Sequence, residues 1–132
     1  MGNAGHLQPL SGHDRVCSGD AYAFGSEDGA AWTIGTGAVE AVFACRDGNF
    51  LLAGCRNKLT DPPKEYASEE DAEGSLLNGR GWVLEEGGAA EILAGGRPAI
   101  QVNLVLKRPA QTVRFHVQAY PGTPILRFWS EV

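Results

Sequence analysis

Apolar and polar residues alternate almost without a break over the last third of the chain. Ile100, Val102, Leu104 and Leu106 share one parity of the segment 99–107, and Val113, Phe115, Val117 and Ala119 share one parity of 112–120. Side chains two residues apart on a pleated strand point the same way, so these segments and the following 124–132 are predicted as strands with one buried face. Prolines at 109, 121 and 124 mark the two turns between them. The three strands therefore form an antiparallel meander with one wetted face. That face collects Gln101, Asn103 and Lys107, then Arg114, His116, Gln118 and Tyr120, then Arg127, Trp129 and Glu131. The alternation is still running at Val132.

Upstream the apolar runs are shorter. Ala21 to Phe24 and Trp32 to Ile34 each predict a short strand, the second followed by a Gly35-Thr36-Gly37 turn. Ala38 to Arg46 and Asn49 to Arg56 flank Asp47-Gly48, a pair that favours a two-residue hairpin turn. A helix over 39–45 fits the same apolar residues, but β-branched content and the adjacent turn favour strand. Apolar residues fall on both faces of this hairpin, which is expected to be covered on both sides. From Leu59 to Arg80 the character changes: Pro62-Pro63 and the acids Glu65, Glu69, Glu70, Asp71 and Glu73 predict a surface excursion. One helical turn, N-capped by Ser68, is expected within it. Trp82 to Glu86 and Ala90 to Leu93 read as a further hairpin turning at Gly87-Gly88. Gly95-Gly96 then leads into the meander, and Trp32 and Trp82 are assigned to the core. Residues 1–20 lack periodicity and are expected to be an irregular lead-in to a single domain, 21–132. Eight to ten short strands at regular spacing predict an all-β antiparallel sandwich.

Composition narrows the possibilities. Eighteen glycines and seven prolines in 132 residues demand many turns, which suits an all-β architecture. A net charge of −5 gives no basic footprint for nucleic acid. No apolar run approaches the roughly 20 residues that cross a bilayer, so no membrane partner is expected. The N-terminus lacks the basic start and apolar centre of a secretory signal. Three cysteines, Cys17, Cys45 and Cys55, are too few and odd in number for a disulfide scaffold. A tight turn at Asp47–Asn49 also sets Cys45 nearer Leu52 than Cys55. Free, buried thiols in a reducing, cytoplasmic compartment are expected.

Candidate chemistry is sparse. His6 and His13 lie in the lead-in, and no Cys-x₂-Cys or closely spaced histidine pair exists, so neither metal nor cofactor is expected. Gly35-Thr36-Gly37 lacks the Gly-Lys-Ser/Thr of a phosphate loop. Glycoside hydrolysis needs two carboxyl groups about 5–10 Å apart, whereas the acids here crowd into the 65–73 loop as a solvated run. His116 and Glu131 share a face, the acid and base that a mutarotase-like site would use, without the motifs that surround such a pair. The polar face of the meander remains. Trp129 and Tyr120 can stack on the C–H face of a sugar while Arg114, Arg127, Gln118, Asn103 and Gln101 meet its hydroxyls. Arginine and tryptophan are equally what a domain interface favours, and interface use is the preferred reading.

Three segments, W-T-I-G-T-G-A-V-E-A-V-F, L-L-A-G-C-R-N-K-L-T-D and A-Y-P-G-T-P-I-L-R-F-W-S-E-V, resemble the N-terminal β-sandwich of family-36 glycoside hydrolases, the α-galactosidases and their relatives. The matching features are the tryptophan-started strand at Trp32 and the step Asn57, Lys58, Leu59, Thr60. The late turn and strand carry Tyr120, Gly122, Pro124, Arg127 and Trp129. The resemblance covers about Trp32 to Val132, with a divergent middle. It implies a supersandwich of the galactose-mutarotase-like class that packs against a catalytic (β/α)₈ barrel. In that family two catalytic aspartates sit in the barrel, which this chain does not contain, so no catalytic residue is carried over. A galactoside-type carbohydrate, the barrel and a homo-oligomer are the implied partners. The family's sandwich has further strands after the arginine-tryptophan strand, so the resemblance implies a sandwich that is truncated here. A stand-alone carbohydrate-binding module is the alternative.

Overall fold

The computed structural model describes residues 8–9, 15–58, 64–67, 76–77 and 79–132. They form eleven strands, β1 (Gln8–Pro9), β2 (Arg15–Ser18), β3 (Ala21–Gly25), β4 (Ala31–Gly35), β5 (Val39–Arg46), β6 (Asn49–Asn57), β7 (Lys64–Ala67), β8 (Val83–Ala94), β9 (Arg97–Arg108), β10 (Gln111–Ala119) and β11 (Leu126–Glu131). Two antiparallel sheets result, ordered β1-β8-β9-β10-β11 and β2-β3-β4-β5-β6-β7. The expected all-β sandwich is what the chain builds.

Between the sheets lies one apolar core. Ile100, Val102, Leu104 and Leu106 of β9 and Phe115, Val117 and Ala119 of β10 face Ala21, Ala23, Ile34, Ala41, Phe43 and Phe50 of the other sheet. The parity predicted for the meander is the parity observed, with Val102 opposite Val117 and Leu104 opposite Phe115. Trp32 and Trp82 are buried, 2% and 4% exposed. An aromatic group spans the gap: Phe43 of β5 meets Phe115 and Phe128 at ring-centroid distances of 5.3 and 5.8 Å.

The β5–β6 hairpin turns at Asp47 and Gly48, both at positive φ (51° and 77°), with Arg46 opposite Asn49. Positive φ at both central residues is the geometry whose twist suits a hairpin. A register shift between Val42 and Phe43 sets Val42 opposite Gly54 and Phe43 opposite Leu52. Buried residues do occupy both faces: Phe43 and Phe50 inward, and Ala44 and Leu51 outward.

The expected hairpin at Gly87-Gly88 is not there. Residues 83–94 run as one strand paired along β9, with a register shift between Leu84 and Glu86. The turn falls instead at Gly95-Gly96, where both φ values are positive (61° and 82°). Gly87 is a glycine for a packing reason: a Cβ there would lie 2.5 Å from Trp32 Nε1. The irregular lead-in is also corrected, because β1 and β2 fall within residues 1–20 and extend one sheet each. Strands of two and four residues leave too short a pattern for periodicity to register. The 59–80 excursion contributes β7; the helical turn expected from Ser68 lies outside the described residues. All three cysteines are free, but Cys17 is exposed rather than buried, on edge strand β2. Burial raises the Cys45 and Cys55 thiols above their ordinary range. Among the described residues no helix is long and apolar enough to cross a membrane.

Candidate functional site

Register on the five-stranded sheet gathers the predicted polar residues into rows. Gln101, Gln118 and Arg127 lie side by side, then Asn103, His116 and Trp129, then Val105, Arg114 and Glu131. Hydrogen bonds run along the face as a chain. Tyr120 donates its hydroxyl to Gln118 Oε1, Gln118 Nε2 donates to Gln101 Oε1 at 2.7 Å, and Gln101 Nε2 donates to Asn103 Oδ1 at 2.8 Å. His116 Nδ1 lies 2.5 Å from the same Asn103 oxygen, and Nε2 lies 2.7 Å from Glu131 Oε1. Both ring nitrogens thus point at oxygen acceptors. Trp129 lies against the His116 ring at 5.0 Å, and the Arg127 guanidinium sits 5.0 Å from the indole centroid.

This arrangement ties the face together internally. Gln118 is buried at 8% exposure although it lies on the outer side of the sheet, where its amide bonds both Gln101 and Tyr120. The structure brings together Asn103, His116, Gln118, Tyr120, Arg127 and Trp129 of the predicted set. Arg114 shares the surface as an exposed neighbour of Glu131. Such mutual satisfaction holds planar groups in fixed orientation, as either a docking surface or a sugar platform needs.

A second cluster, at one end of the sandwich, was not singled out from the sequence. Asp20, in the β2–β3 turn, accepts the Gly122 N–H at 2.7 Å and the Gly37 N–H at 3.0 Å. These two backbone donors, Gly122 first, hold its carboxyl below the usual range. Thr36, fully buried, donates its hydroxyl to the Thr123 carbonyl at 2.7 Å, joining the two sheets. Lys58 donates to the Thr36 carbonyl at 2.9 Å and to Tyr22 Oη at 2.6 Å, and Tyr22 donates to Glu40. The segments around Thr36, Lys58 and Tyr120–Pro124 are the three that carry the family resemblance. They meet here in space. Hydrogen bonds between distant turns leave no periodic trace in the sequence.

Burial first, and then the hydrogen bond to Glu40, push the Tyr22 phenol well above its ordinary value. The folded chain therefore holds this proton more tightly than the unfolded chain. The resulting stability is complete below the unfolded phenol's pKa, about 10, and is lost as pH rises through that value toward the folded one. Wild-type melting temperature is expected to fall more steeply between pH 9.5 and 11 than that of Tyr22→Phe. At neutral pH the substitution should cost about 1–2 kcal/mol, because Lys58 and Glu40 lose a shared partner. Parallel pH profiles in thermal melts would refute this account of Tyr22.

Compared with known proteins, the chain, which this geometry defines as a two-sheet antiparallel sandwich, matches no family model, no curated protein and no solved structure.

Proposed function

We propose that this chain is a non-catalytic β-sandwich domain of a glycoside hydrolase resembling the α-galactosidases. In this reading it packs on a catalytic (β/α)₈ barrel and contributes a wall beside the sugar pocket. One observation carries the reading: the three resemblance-bearing segments are bonded to one another at a single end of the sandwich, through Thr36, Lys58 and the Tyr120–Pro124 turn. Tyr120 also heads the polar chain on the outer face, so the stiffened end and the face form one continuous surface. A surface whose groups are already satisfied and held suits docking against another folded unit.

Two measurements test it. The coding sequence beyond the Val132 codon should encode a barrel with paired carboxylates, and a stop codon there would count against it. The isolated chain, titrated with methyl α-galactoside and followed by backbone NMR, should show no saturable shifts. Saturable millimolar binding that disappears in Trp129→Ala would instead favour a stand-alone carbohydrate-binding module.

A further inference from the structure

The line of hydrogen bonds on the outer face of the five-stranded sheet has a direction. Tyr120, Gln118 and Gln101 each donate toward Asn103, and His116 Nδ1 faces the same Asn103 Oδ1 from the other side. His116 Nε2 faces a second acceptor, Glu131 Oε1, at 2.7 Å. A neutral imidazole has one donor and one acceptor nitrogen, and only imidazolium donates from both. The orientation of three side-chain amides therefore matches one protonation state of one ring.

A second arrangement also satisfies every contact. With all three amides turned over, Asn103 Nδ2 uses its two hydrogens on His116 Nδ1 and Gln101 Oε1. Gln101 Nε2 then donates to Gln118 Oε1, and Gln118 Nε2 donates to the Tyr120 oxygen. His116 is neutral in this arrangement and keeps its Nε2–H on Glu131. Turning one amide alone sets two carbonyls or two NH₂ groups face to face, so the amides reverse together. Proton loss without reversal sets lone pair against lone pair, at Asn103 Oδ1 across 2.5 Å or at Glu131 Oε1 across 2.7 Å. One bond must then break. Water is poorly placed to replace it along most of the line, where Gln118 is 8% exposed and the His116 side chain 13%. The ring faces charges of both signs. Glu131 of β11 favours the imidazolium, while Arg114 of β10 and Arg127 of β11, stacked on Trp129, oppose it. Asn103 and Val105 of β9 are uncharged, and Glu86 of β8 lies beyond Val105.

We propose that His116 and Tyr120 are the two ends of a reversible hydrogen-bond relay: loss of the His116 proton turns over Asn103, Gln101 and Gln118 together, and the Tyr120 hydroxyl changes from donor to acceptor within the line. Beside imidazolium, the Tyr120 oxygen offers a lone pair to whatever meets the face. Beside neutral imidazole, it offers its proton. The polarity of the Tyr120 end of the face thus follows pH, sensed at a ring four residues away along the chain. The relay is independent of the functional reading above, because it concerns the face itself and not what covers it.

Side-chain NMR on the full chain tests it, with ring nitrogens, amides and tyrosine carbons followed from about pH 5 to 9, an interval that spans imidazole titration. As His116 loses its proton, Nδ1 should become the unprotonated nitrogen. The side-chain amide signals of Asn103, Gln101 and Gln118 and the Tyr120 ring carbons should shift with the same midpoint. Gln118→Met removes the middle link and no charge, so His116 should still titrate while the Tyr120 shift is lost; an effect of charge through space would survive that substitution. The wild-type readings need no variant. A neutral His116 protonated on Nδ1 overturns the proposal, because Glu131, whose side chain is already 59% exposed, has then swung into solvent instead. So do amide signals that stay fixed while His116 titrates, a His116 that does not titrate over this interval, or a Tyr120 shift that persists in Gln118→Met.

Discussion

Gly87→Ala is expected to destabilise the fold by about 3 kcal/mol, the upper end for overpacking a core, although it adds a single methyl group. The added Cβ would lie 2.5 Å from Trp32 Nε1 and 2.7 Å from Cε2. The indole has nowhere to retreat. Gly25, its cross-strand partner, lies against the ring so closely that a Cβ there would stand 2.9 Å from Cζ2. Both contacts are with a rigid ring held in the core, so relief requires the sheets to separate locally. Urea unfolding should show a lowered midpoint with an unchanged slope. The double variant with Trp32→Leu should recover part of the loss, giving a coupling of about 1 kcal/mol or more. A Gly87→Ala protein that unfolds with wild-type stability would show that the indole has room.

Phe43→Ala should cost about 3–5 kcal/mol, as for other buried aromatic truncations. Phe43 is 1% exposed and touches aromatic rings of both sheets: Phe50 at 6.4 Å within its own, and Phe115 and Phe128 across the gap. Removing the ring takes the central member from a group of four. Its neighbours sit on β6, β10 and β11 and cannot close the void without shifting strands. Phe43→Leu keeps most of the volume and should cost less than half as much. Domain stabilities are about 5–15 kcal/mol, so the alanine variant should sit near its unfolding transition at 37 °C, which circular dichroism measures directly. A loss below 1 kcal/mol would mean that the two sheets do not depend on this aromatic contact.

The meander was legible because period-two alternation over nine residues has few other interpretations, and Pro109 and Pro121 mark its turns. The Asp47-Gly48 hairpin was legible for a similar local reason. Gly87-Gly88 misled because paired glycines between apolar runs are a sound hairpin signal. Gly87 is instead required by an indole from a strand of the opposite sheet, and no local window contains it. Of the candidate site, the face was readable by parity, including the companionship of His116 with Trp129 and Glu131. The Asp20, Thr36 and Lys58 cluster was not, because its bonds join turns far apart in sequence through single side-chain atoms. The exposure of Cys17 was missed because an edge strand of four residues gives no clue to which side lies bare.

Each sheet is threaded almost wholly from consecutive segments, β2 to β7 in one and β8 to β11 in the other, with β1 the exception through its pairing to β8. Neighbouring strands can therefore zip together over short loops, whose closure entropy is small. The contacts that join distant parts of the chain are instead the β1–β8 pairing and the side chains packed across the core between the two sheets.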